Sequence, residues 1–138
     1  MTMPATGPWA LPIEGFEILM IVFAFPIDIV AYGEGGSSGR IRLAGAFKFS
    51  EPDGRIRDLD AEHQAWQELA VLLTLRHDKI TSVTVTETAQ LVVTLDSGRS
   101  LTAEPDGAPY ENWEVTGPDF KLIALPGDGS DGVAVFGS

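Results

Sequence analysis

Apolar and polar residues alternate with a period of two over most of this chain, and that pattern predicts a protein built mainly from strands. "GFEILMIVFAF", residues 15–25, is apolar on both faces, with Ile18, Met20 and Val22 on one and Leu19, Ile21 and Phe23 on the other. One face serves the core, and the second needs a helix, another sheet or a second subunit to cover it. A second strand, "IDIVAYG", follows the Pro26 region, and "GEGGSSG" reads as a loop. "RIRLAGAFKF", residues 40–49, then reads as one half-exposed strand. Ile41, Leu43, Phe47 and Phe49 point one way, and Arg40, Arg42 and Lys48 form a basic outer face. "EPDG" at 51–54 closes it as a turn ending in glycine.

The period then changes. Leu59, Trp66, Leu69, Ala70 and Leu73 fall on one face of a helix over about residues 60–77, capped by Asp58 or Asp60. After it, "ITSVTVTE" and "QLVVTL" predict a hairpin, with Val83 and Val85 facing Leu91, Val93 and Leu95. "SLTAE", a second "EPDG" at 104–107, "NWEV", "FKLIAL" and "GVAVF" complete the chain. The expected fold is α+β: a strongly curved antiparallel sheet or partial barrel of about seven to nine strands with one packed helix. The repeated EPDG and the later Trp66 and Trp113 hint at duplication, although EPDG is good turn chemistry in its own right.

Composition narrows the class. With 138 residues, 44% of them hydrophobic, the chain suits one domain, with residues 1–12 expected to be flexible. There is no cysteine, hence no disulfide and no thiolate nucleophile. The formal charge is −11, from 20 acidic and 9 basic residues, which disfavours nucleic acid and anionic membranes as partners. The charge is polarised: residues 40–57 carry five bases and two acids, residues 104–138 seven acids and one base. Such polarity suits a protein partner or self-association. The first basic residue is Arg40, so no signal peptide is expected, and "ILMIVFAFPI" falls short of the roughly 20 apolar residues of a membrane helix. A cytoplasmic address is expected.

Candidate chemistry is sparse. His63 and His77 lie fourteen residues apart, roughly 20 Å on one helix, so they share no metal, and neither metal nor cofactor is expected. "GGSSG" at 35–39 matches a nucleophile elbow, but a strand rather than a helix follows Ser37. "PGDGSDG" spaces Asp128 and Asp131 wrongly for a calcium loop. Glu111 and Glu114 flank Trp113, yet residues three apart on a strand point to opposite faces and do not converge on one substrate.

"PYENWEVTGP" followed by "LIALPGDGSDGVAVF" resembles the C-terminal signature of a family of small, mainly actinobacterial domains of unknown function. The family pattern is P-x-Y-E-x-W-x-[LV]-x-G-P, then P-G-G and a closing A-V-[WF]. The similarity covers about residues 60–136, and Asp128 to Asp131 lengthen the P-G-G turn. The resemblance implies a fold class and names no catalytic residue.

Three functional expectations follow. The first is a non-catalytic protein-binding module, of immunity or accessory type, using Tyr110, Glu111, Trp113, Glu114, Arg40, Arg42 and Lys48. The second is a small-molecule pocket in the curved sheet, lined by Tyr32, Phe23, Phe25, Phe47, Phe49 and Trp66. The third is a small enzyme using carboxylates or Tyr110. Burial of the exposed face of the N-terminal strands in a homodimer is a separate expectation.

Overall fold

The computed structural model describes residues 3–4, 6–62, 66–105, 111–126 and 132–137. Among these described residues, twelve antiparallel strands form two six-stranded sheets over one shared core. In chain order the strands are β1 (Trp9–Ala10), β2 (Glu17–Val22), β3 (Ile27–Tyr32), β4 (Ser38–Leu43), β5 (Ala46–Ser50) and β6 (Ile56–Asp60). After the helical segment come β7 (Ile80–Val85), β8 (Leu91–Leu95), β9 (Ser100–Ala103), β10 (Trp113–Thr116), β11 (Phe120–Ala124) and β12 (Val133–Gly137). The first sheet has the order β1-β7-β8-β9-β5-β6 and the second β12-β11-β10-β4-β3-β2. The expected antiparallel α+β class fits, but the expected curved sheet or partial barrel of seven to nine strands is corrected to twelve strands among the described residues, in two sheets that do not close into a barrel.

Two local features explain the difference. The expected strand 40–49 is cut at Ala44-Gly45, both buried, and its halves β4 and β5 belong to different sheets. Alternation survives the corner, because Ile41, Leu43, Phe47 and Phe49 all reach the same core from opposite sides. The pattern of a sandwich corner and that of a straight strand are the same when read from sequence alone. The segment "RIRD" also pairs, as β6 against β5 (Phe47 opposite Leu59, Lys48 opposite Asp58). Gly54 turns the chain between them at φ +92°, a conformation that suits a residue without Cβ.

The expected helix over 60–77 shrinks to α1 (Trp66–Leu69), followed by a 3₁₀ segment, Ala70–Leu75. Its buried residues are Leu69, Leu72 and Leu75, spaced by three, which matches the three residues per turn of a 3₁₀ helix. Ala70 and Leu73, assigned to the apolar face by the α-helical period, are exposed, as is Trp66. The helical segment packs against β6 at one edge of the first sheet and β2 at one edge of the second.

The N-terminal segment also packs into the core. Trp9 is buried and its indole Nε1 donates to the Pro4 carbonyl at 2.9 Å, while Leu11 and Ile13 are sealed in the core. From Leu11 to Ile18 the backbone runs beside the β7 strand and its approach, with Leu11 N–H bonded to Val83, Gly15 N–H to Ile80 and Ile18 N–H to Asp78. This crosses from the first sheet to the second.

Candidate functional site

One face of every strand in the second sheet is spent on the core. Ile27, Ile29 and Ala31 of β3, Ile41 and Leu43 of β4, Trp113 and Val115 of β10, and Phe120, Leu122 and Ala124 of β11 are all buried. The alternate residues therefore form the outer face. Strand register aligns them into two rows. The first runs Val22, Asp28, Arg42, Glu114, Ile123, Ala134, and the second Met20, Val30, Arg40, Thr116, Lys121, Phe136. Each row is charged in the middle and apolar at both ends.

The charges in the middle satisfy one another. The Arg42 guanidinium clasps Asp28 with two hydrogen bonds, Nε to Oδ1 at 2.8 Å and a terminal nitrogen to Oδ2 at 3.1 Å. The hydrogen bond to Asp28 and the nearby negative charges of Asp28 and Glu114 hold Arg42 above its ordinary pKa, against a partial cost of burial. Glu114 Oε1 accepts from Arg40 at 3.2 Å and from the Thr116 hydroxyl at 3.3 Å, and Lys121 Nζ lies 3.3 Å away. The Glu114 side chain is only 14% exposed. Around this network Met20, Val22, Phe25, Tyr32 and Phe136 stand exposed.

At one end of the face lies a cleft of about 290 Å³, lined by Phe25, Pro26, Arg42, Glu111, Trp113 and Glu114. Glu111 and Glu114 converge here, which corrects the strand-based expectation. β10 begins only at Trp113, so Glu111 precedes the strand and escapes its alternation. Between them, Asn112 is buried: its Nδ2 donates to the backbone carbonyls of Ala46, at 3.2 Å, and Glu104, and its backbone carbonyl accepts from Ala44 N–H at 2.9 Å. Asn112 thereby ties β10 to the corner where β4 turns into β5.

The structure brings together Arg40, Arg42, Glu111, Trp113 and Glu114, with Phe25 added from the second set of candidates. Trp113 presents little surface there, being 1% exposed, and its indole Nε1 donates to the Ala89 carbonyl at 2.7 Å. Lys48 is separated from Arg40 and Arg42 because the corner at Ala44-Gly45 sends it to the outside of the first sheet. There it pairs with Asp58 at 2.8 Å, which raises its pKa. Tyr110 lies outside the described residues, as do His63, Asp128 and Asp131.

The six aromatic candidates do not share a cavity. Phe47 and Phe49 are core residues, Phe23 meets Trp66 edge to face at 6.1 Å, and Phe25 and Tyr32 stand exposed on the second sheet. A period-two pattern in sequence shows that aromatic residues are apolar neighbours but not which sheet they serve. Asp28, Lys121 and Phe136 were not singled out by sequence. Alternation places each on an outer face, but the strand order that sets them side by side is tertiary.

Among the described residues no group of three or more His, Asp or Glu side chains is placed to hold a metal, and His77 Nδ1 lies 3.0 Å from Glu17 Oε2. Ser37 sits between a 3₁₀ turn (Glu34–Gly36) and β4. No helix among the described residues is long and apolar enough to cross a membrane.

No curated protein and no solved structure matches this chain. Residues 9–134 match a family described as "Family of unknown function (DUF6188)", and that span covers all twelve strands except the end of β12, so the chain belongs to this family.

Proposed function

We propose that this protein is a non-catalytic binding module that recognises another protein through the outer face of the second sheet. The observation that carries this reading is the distribution of exposed apolar side chains. Five of the nine large exposed hydrophobic residues among the described ones (Met20, Val22, Phe25, Tyr32 and Phe136) lie on or beside this one face. Large exposed apolar side chains concentrated on one sheet face signal an interaction surface. Here they flank a charged centre, the reverse of the usual apolar core and polar rim. The chemistry of the centre supports binding over catalysis. Asp28 is bound by Arg42, and Glu114 is held by Arg40, Thr116 and Lys121, so both carboxylates are already neutralised by fixed donors.

A photo-crosslinking residue placed at Phe136 or Met20 in the protein's own cells tests this. Protein adducts at both positions, and none at Ile56 on the first sheet, are expected. Absence of any protein adduct from both face positions overturns the reading.

A further inference from the structure

We propose that the protein covering this face is a second copy of the same chain, packed face to face about a two-fold axis that runs parallel to the strands between β4 and β10. This rests on the binding reading above and names its partner.

The argument begins with strand order. The sheet reads β2-β3-β4-β10-β11-β12, with three strands on either side of the β4/β10 boundary. Rotation by a half-turn about that boundary lays β4 of one copy over β10 of the other, β3 over β11 and β2 over β12, while each row stays over itself. The registers then decide what meets what. In the first row Arg42 of one copy faces Glu114 of its partner, and Val22 faces Ala134. In the second row Met20 faces Phe136 and Arg40 faces Thr116. Apolar ends meet apolar ends and a base meets an acid at the centre, as an isologous interface requires. Between them Asp28 faces Ile123 and Lys121 faces Val30, with Asp28 held by Arg42 and Lys121 by Glu114 of its own copy.

Net charge singles out the same face. The two rows and the rim carboxylates Glu17 and Glu111 carry three bases and four acids. The remaining residues carry six bases and sixteen acids. Two copies of a chain with a charge of −11 repel strongly when approached through that remaining surface, and least through this near-neutral face. The area also suffices. Six strands at about 4.8 Å and about five residues at 3.4 Å give roughly 500 Å² per copy, or about 1,000 Å² for the pair, which reaches the lower bound of a specific interface. Aligned sheets packed face to face cross at about −30°, a rotation that leaves the central contacts in place.

The absence of cysteine in the chain makes the geometry directly testable. Purified protein is expected to sediment at twice the 14.8 kDa chain mass. Because sheets packed face to face lie about 10 Å apart, beyond disulfide reach, a short bis-maleimide crosslinker is used, and a mixture of Met20→Cys and Phe136→Cys chains is expected to give a crosslinked pair. Met20→Cys alone is not, because its two copies lie at opposite edges, about 24 Å apart across five strand spacings. Met20→Lys combined with Phe136→Lys is expected to yield monomers with an unchanged far-ultraviolet circular dichroism spectrum, while Ile56→Lys on the first sheet leaves the dimer intact. A monomer at every concentration, or Met20→Cys chains that link to themselves and not to Phe136→Cys, overturns the proposal. If the chain is monomeric while Phe136 in cells crosslinks to a different protein, the binding reading stands and only the self-pairing falls. If it is monomeric and the face gives no adduct, both fall.

Discussion

The indole of Trp113 on β10 donates to the carbonyl of Ala89, 2.7 Å away in the turn between β7 and β8, so a single hydrogen bond joins the two sheets inside the core. Ala89 is fully buried and holds φ +67°, a left-handed conformation uncommon for a residue with a Cβ. The tryptophan satisfies the one carbonyl that this unusual backbone turns inward.

Removing the ring tests that link. Trp113→Ala is expected to cost about 3–5 kcal/mol, from lost burial and the cavity left behind. Trp113→Phe keeps much of the volume but strands the Ala89 carbonyl, at about 1–3 kcal/mol. Urea unfolding followed by circular dichroism reads both. An unchanged midpoint for Trp113→Ala refutes the anchoring role.

Asn112 holds a different junction, between β10 and the Ala44-Gly45 corner. Asn112→Ala leaves the Ala46 and Glu104 carbonyls without their donor, so a loss of about 2–3 kcal/mol is expected. Asn112→Asp is expected to be worse, because it adds a charge to a site 2% exposed. The same unfolding measurement ranks the two, and equal losses refute the burial argument.

The two glutamates around Trp113 are expected to differ. Glu114→Gln weakens the contacts to Arg40 and Lys121 in a half-buried setting, for a loss of about 1 kcal/mol. Glu111→Gln, at an exposed position before the strand, changes stability by less than about 0.5 kcal/mol. The gap between them should shrink as salt is raised, since the Glu114 partners are partly exposed. Thermal melts at low and high ionic strength measure it.

A pH effect is expected at the β5–β6 turn. The Arg55 backbone N–H bonds Asp53 at 3.0 Å and its side chain pairs there at 2.8 Å, holding the Asp53 carboxyl below the ordinary aspartate pKa. A depressed folded-state pKa gives stability that is present above the unfolded value and lost as pH falls through the folded one. Asp53→Asn is therefore expected to lower the melting temperature slightly at neutral pH and to converge with the parent protein in acid. Melts across the acid range check the sign.

The sequence by itself determined the strands. Period-two alternation marked β3, β7, β8, β10, β11 and β12, because a residue on a pleated strand must choose core or solvent regardless of which strand lies beside it. β2 showed only as an apolar run, and a bulge between Ile18 and Met20 puts Ile18 in the core and Met20 outside, against the expected shared face. It also marked Trp113 and the outward position of Arg40 and Arg42. Local turn chemistry placed Gly54 correctly. The tertiary structure decided everything that depends on which strands are neighbours. Ala44-Gly45 carries a chain across a corner without breaking alternation, so the sequence showed one strand where two sheets begin, and Lys48 was grouped with arginines it never meets. Leu69, Leu72 and Leu75 are spaced by three in the sequence, but Leu59, Trp66, Leu69, Ala70 and Leu73 also fit an α-helical face, and only the burial pattern distinguishes the two periods. The outer face is the clearest case. Asp28, Arg42, Glu114 and Phe136 come from four strands spread over most of the chain, and only long-range pairing sets them in one plane. Hydrogen bonds between strands are made by backbone groups that every residue carries, so they leave no mark in side-chain pattern, and the partner of each strand is settled by the packing of the whole core.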